Sequence, residues 1–248
     1  MDQQAPQEFI LEAFADPPSV RDVVKGILHT IFFHRFFPSV APRSREVLDI
    51  TLPYVADAEL DTMIERRVDE LAQQLDAERI NNNNNNNNLA KKAVGGSRGA
   101  GGAAGLGIGG VGGGGGGGGD GRGTITVQFF EKKRRKAWYG GRDEEVCWES
   151  WTVKVTVAEP RTESERAKVR AAMAQTLTAT VMKLVTCVNS HKDHIPPITT
   201  SEANPFPYQI HVSPSSGGGG AGGGAGDAAT PDAAAQARTG WTTRMGIY

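Results

Sequence analysis

Apolar residues recur along the chain with two different periods, and each period marks out elements. Phe9, Leu11 and Ala13 alternate with Ile10 and Glu12, which predicts a short strand ending at Pro17-Pro18. Val20, Val23, Val24, Ile27, Leu28, Ile31 and Phe32 follow at helical spacing, so a helix of about four turns with one apolar face is expected, ended by Pro38 and Pro42. The β-branched and aliphatic run from Val47 to Val55 reads as one strand, with Leu48, Ile50 and Leu52 on one side. Asp57 is placed to cap a second helix, whose stripe of Leu60, Met63, Ile64, Val68, Leu71 and Leu75 leads into a run of asparagines.

Two strands come next, through Ile125, Val127 and Phe129 and through Trp151, Val153, Val155 and Val157. Thr162 and Glu165 form a Thr-x-x-Glu capping box for the longest helix, which places Val169, Met173, Leu177, Val181, Leu184, Val185 and Val188 on one face. Tyr208, Ile210 and Val212 form a last short strand, and Trp241 to Tyr248 is a candidate for one more. Strands grouped together, with helices that do not alternate strictly with them, predict an α+β fold in which helices cover a sheet.

Composition then removes part of the chain from that fold. Positions 81 to 88 are all Asn, and Gly-rich tracts precede Thr124 and follow Ser216. Such segments bury too little apolar surface to offset their ordering entropy. Residues 80–123 and 213–240 are accordingly expected to be disordered insertions in a single domain spanning 1–248. The net charge of -1 gives no nucleic-acid footprint. Two cysteines supply no disulfide framework, no signal segment opens the chain, and no apolar run of about 20 residues was evident; a soluble, cytoplasmic protein is expected.

Candidate chemistry is sparse. Cys187, His191 and His194 have the spacing of a partial zinc site, but with no evident fourth ligand they read better as a helix terminus carrying imidazoles, and no metal or cofactor is expected. His29 and His34 are five apart and share no helical face, so they read as core-edge or surface residues. Glu144, Glu145 and Glu149 read as a solvated acidic loop, and no nucleophile, metalloprotease or kinase signature is present, so no enzyme is expected. The basic run Lys132, Lys133, Arg134, Arg135 and Lys136 leads into Trp138-Tyr139-Gly140-Gly141. Its plain reading is a solvated hairpin turn; its functional reading is a pair of exposed aromatic anchors for a partner, with an alternative in which the cations and aromatics bind anionic lipid or nucleic acid.

Several runs resemble the autophagy-related protein 101 family. Ile27 to Arg35 is similar to that family's first helix, Glu149 to Val155 to its tryptophan-bearing strand, Asp49 to Val55 with Glu59 to Asp61 to its next strand and helix, and Phe129 to Lys133 to its strand ending in lysines. The similar order extends from Phe9 to about Val212. The resemblance implies a HORMA domain, a mainly antiparallel sheet covered by three helices on one face, with no catalytic activity and no cofactor. It implies pairing with the HORMA domain of autophagy-related protein 13 within the kinase complex that initiates autophagy at the phagophore assembly site. It also implies recruitment of downstream factors through an exposed finger, which falls at Trp138 and Tyr139, with Tyr in place of the family's Phe. The helix from Thr162 to Asn189 corresponds to the element that HORMA proteins commonly use to dimerise.

Overall fold

The computed structural model describes residues 5–38, 41–95, 121–134, 143–199 and 204–214. Met1–Ser215 forms one compact unit; Ser216–Tyr248 is a separate one and lies outside the described residues. The elements run β1 (Gln7–Ala15), α1 (Val20–Arg35), β2 (Pro42–Val47), β3 (Ile50–Val55), α2 (Ala58–Gly95), β4 (Gly121–Arg134), β5 (Asp143–Val157), α3 (Glu163–Ser190) and β6 (Tyr208–Pro214). Four strands form a sheet in the order β1-β5-β4-β6, in which β1 is parallel to β5 and the other pairs are antiparallel. This is the α+β arrangement expected from the patterning.

Each strand of the sheet shows one buried and one wetter face, as alternation requires. Leu11, Val153, Ile125 and Ile210 are buried, whereas their neighbours Ile10, Glu12, Lys154 and His211 are exposed. Phe32 of α1 meets Phe129 and Tyr208 edge-on over the buried face, with ring centres 5.5 and 4.8 Å apart. Phe9 stacks on Trp151 at 4.3 Å. Because the sheet, α2 and the β2–β3 hairpin all pack against it, α1 is buried nearly all round instead of on the single face anticipated.

Three boundaries differ from expectation for identifiable reasons. The expected single strand over Val47 to Val55 is a hairpin. Leu48 and Asp49 have φ of 50° and 64°, the left-handed pair of a two-residue hairpin turn, and only three-dimensional pairing reveals that a Leu occupies it. The second helix does not end at the asparagines but continues to Gly95, because extending an established helix by a residue of middling propensity is far easier than nucleating one. Gly121 and Gly123, expected to lie in a linker, begin β4. A Cβ on Gly123 would come within 2.8 Å of Leu71 Cδ1 and 3.2 Å of Leu75 Cδ2, so the missing side chain is what lets α2 lie close to the strand.

By length and composition α3 is apolar enough to cross a membrane, contrary to the reading of the sequence; from Ala171 to Val188 its one charge is Lys183. In the fold it lies along β1. Met173, Leu177, Leu184 and Val188 are buried, Thr180 Oγ1 donates to the Glu12 carbonyl (2.5 Å), and Lys183 Nζ donates to the Ile10 carbonyl (2.8 Å). Those side-chain donors satisfy carbonyls on the outer edge of β1.

Candidate functional site

The β4–β5 hairpin projects beyond the sheet, and its described stem ends at Arg134 and Asp143. Register shifts between Phe129 and Phe130: Phe129 lies opposite Glu149 and Phe130 opposite Cys147, so β5 carries an extra residue at Trp148. A bulge of this kind re-aims side chains. Here Trp148, Glu149 and Ser150 are all buried, where strict alternation would expose one face.

Glu149 forms the centre of a closed polar cluster at the root of this hairpin. It is fully buried, and so is its partner Arg35, from the last turn of α1. Arg35 Nε donates to both carboxylate oxygens, at 2.8 and 2.9 Å. Trp151 Nε1 donates to Oε1, and His194 Nε2 lies 2.6 Å from Oε2. The rest of the guanidinium donates to the carbonyls of His34 (3.2 Å) and His191 (3.4 Å). One carboxylate therefore ties together the end of α1, two residues of β5 and the segment that follows α3. Aromatic rings close over it: Phe9 contacts Trp151, His191 and His194, and Trp148 contacts His194 and Phe206.

Glu149 was expected in a solvated acidic loop, and the structure overturns that. A signal was available, because Glu149 shares the two-residue phase of Trp151, Val153 and Val155, all of which point inward. Its partner Arg35 is 114 residues away and carried no comparable signal.

Both histidines of the candidate zinc set are otherwise engaged. His194 faces Glu149, while His191 Nδ1 lies 3.1 Å from the Cys187 carbonyl, so the imidazole caps the helix end. Among the described residues, no group of three or more His, Cys, Asp and Glu side chains is placed to hold a metal.

The basic run is paired along part of its length. Lys132, Lys133 and Arg134 stand opposite Glu145, Glu144 and Asp143. Opposite charges facing across an antiparallel pair stabilise the stem and its register. Lys133 Nζ also lies 3.2 Å from Glu131 Oε2. Arg135, Lys136, Trp138 and Tyr139 lie outside the described residues.

A second polar cluster sits between α1, α2 and β3. Lys25 Nζ reaches Asp61 (2.8 Å) and Glu65 (2.6 Å), and His29 Nε2 lies 3.2 Å from Asp61 Oδ1 under the Tyr54 ring. Burial lowers the His29 pKa to about 4 and outweighs the attraction of Asp61, so the ring is neutral at pH 7. Its Nδ1 is buried with no hydrogen-bond partner among the described residues, which fits a ring that carries its proton on Nε2 and donates to Asp61. Burial alone would raise the Asp61 carboxyl, but the Lys25 hydrogen bond and charge, with help from Tyr54, bring it below its usual value. His34 is half-buried; burial and then the Arg35 charge lower its pKa.

Comparison with known proteins points one way. The family model of Autophagy-related protein 101 matches residues 12–202. The chain is 24% identical over 196 residues to Autophagy-related protein 101 of Schizosaccharomyces pombe, covering 79% of this chain and 80% of that protein. It is 23% identical over 228 residues to Autophagy-related protein 101 of Arabidopsis thaliana (85% and 86%), and 25% identical over 191 residues to that of Homo sapiens (77% and 75%). The match spans most of the chain, including Arg35, Glu149 and His194 of the hairpin root, and the chain belongs to the autophagy-related protein 101 family.

Proposed function

We propose that this protein is a non-catalytic scaffold of autophagy initiation. In this reading it adopts a HORMA domain, pairs with the HORMA domain of autophagy-related protein 13, stabilises it within the initiating kinase complex, and acts in the cytoplasm at the phagophore assembly site. The observation that carries the reading is the family match over residues 12–202, and the α+β architecture supports it. The β4–β5 hairpin is the presenting device: its stem leads toward Trp138 and Tyr139, and the Arg35–Glu149–His194 cluster anchors its base to the end of α1 and to the segment that follows α3. Trp138 and Tyr139 recruit downstream factors, because aromatic side chains offer large contact area at little entropic cost. In strand register Lys132 and Lys133 stand opposite Glu145 and Glu144, a pairing that supports a protein-presenting hairpin over a lipid-binding one.

The test is co-purification of the chain with the HORMA domain of autophagy-related protein 13 from the same organism, with mass measured by size exclusion and light scattering. A one-to-one complex that survives Trp138→Ala/Tyr139→Ala, together with loss of downstream recruitment in that variant, is expected. Absence of a complex at every salt concentration overturns the pairing role.

A further inference from the structure

The connection from α3 to β6 runs from His191 to Pro207 and carries prolines at 196, 197, 205 and 207. Proline gives no N–H, so a segment this rich in it is poorly suited to prolonging α3 or β6, and side chains must hold it in place. Its described parts, 191–199 and 204–207, both close on the root of the β4–β5 hairpin. From the first part, His194 reaches the Glu149 carboxylate at 2.6 Å and sets its ring 5.6 Å from that of Trp148. From the second, Phe206 is buried with its ring 5.1 Å from Trp148, and the Pro207 carbonyl accepts from the Phe130 amide at 2.8 Å. The Trp148 indole is thus held by residues from opposite ends of one connection.

These contacts fall where the hairpin can bend. Trp148 is the extra residue of β5, and the register of β4 shifts at Phe130. A bulge interrupts the ladder, so the strands beyond it take their direction from whatever fixes the bulge. The grip on it is uneven. The Arg35 and Glu149 side chains are 3% and 0% exposed, whereas that of His194 is 17% exposed. Lys192 and Asp193 beside it are exposed, as are Pro197, Ile198 and Thr199. His194 is therefore the wettest member of the Glu149 cluster, carried by a segment that lies mostly in water, and contacts of that kind open most easily.

We propose that the α3–β6 connection is a clamp that fixes the direction of the β4–β5 hairpin, with His194 on Glu149 as its latch. His194 is a positioning residue, since it acts on the hairpin through Glu149 and Trp148. The clamp rests on the reading of the hairpin as the presenting device and supplies what that device needs: a projection already locked in one direction loses less conformational freedom when a partner binds.

The test is hydrogen exchange read by mass spectrometry on the full-length protein without any partner, comparing wild type with His194→Ala and His194→Gln. Gln keeps an N–H donor for Glu149, whereas Ala removes it. In His194→Ala, exchange is expected to quicken roughly tenfold in fragments covering 130–134 and 143–149 while those covering 151–157 keep their wild-type rate. His194→Gln should recover most of the lost protection. Unchanged exchange in the hairpin of His194→Ala overturns the clamp, as does acceleration that extends equally to 151–157, which is a general loss of stability. Equal acceleration in His194→Gln overturns the hydrogen-bonded latch. Because no partner is present, these outcomes hold whether or not Trp138 and Tyr139 recruit anything; failure of recruitment would count against the presenting role and leave the clamp standing.

Discussion

Two charged clusters grip α1 about 15 Å apart along its axis, and they handle charge in opposite ways. Around Glu149 the ion pair is dry: the carboxylate receives donors from Arg35, Trp151 and the partly exposed His194, and the guanidinium passes its remaining donors to backbone carbonyls. Around Asp61 water remains close, with the carboxylate side chain 26% exposed and Glu65 60% exposed. The first cluster tolerates burial because every charge is matched and hydrogen-bonded. The second needs less matching, and it leaves His29 neutral with one ring nitrogen unpartnered among the described residues. A buried charge thus acts as a constraint on geometry, whereas a half-wetted one acts as a local adjustment.

The sharpest break of that contrast is Glu149→Ala, which strands the Arg35 guanidinium in the core. A loss of about 3–5 kcal/mol is expected, a Tm drop of roughly 10 °C or more by calorimetry. Replacing both members, Arg35→Met with Glu149→Leu, should recover most of it, since no lone charge is then left buried. A loss below about 1 kcal/mol for Glu149→Ala would mean that the cluster is not closed to water.

The Asp61 side of the contrast is read by pH. His29 titrates near 6.5 when unfolded and about 4 when folded, so acidification protonates the unfolded chain first. Stability should fall as pH drops from 6.5 to 4, by roughly 3 kcal/mol from this group, and level off below. Urea titrations across that range should show the slope reduced in His29→Leu; an unchanged slope would assign it to other groups.

Packing gives a yardstick between these charge effects. Gly123→Val would push a side chain into Leu71 and Leu75 and should cost about 1–3 kcal/mol, whereas a linker glycine would tolerate it freely. The smallest effect belongs to the surface pair Arg21–Asp69, at 2.7 Å with both side chains at least half exposed. Asp69→Ala should change stability by less than about 0.5 kcal/mol, and a larger loss would show that exposure is a poor guide to the value of a charge here.

Much of the fold was legible along the chain. The alternation through Val127 and Val153, the capping box at Thr162 and the Asp57 cap, whose Oδ1 accepts from the Leu60 amide at 2.8 Å, are signals read within one element. The hairpin turn at Leu48–Asp49 was hidden because Leu stands at the first turn position, where Asn, Asp or Gly is usual, and Asp stands at the second, where Gly is usual. The extra residue at Trp148 was hidden because a bulge is defined by the partner strand, not by the strand that contains it. The polar cluster was half visible: the phase of Glu149 was readable, but its match with Arg35 and His194 depends on three distant segments arriving together.

By itself the sequence determined most of the elements, the α+β class and the family resemblance, because periodicity, capping and motif are properties of neighbouring residues. Tertiary structure decided what those elements do to one another: that a glycine at the start of β4 is a packing surface, and that an acidic residue beside a tryptophan is the centre of a buried clasp. Those outcomes depend on desolvation and on register between segments far apart in the chain, and neither is a property of any residue until its neighbours in space are fixed.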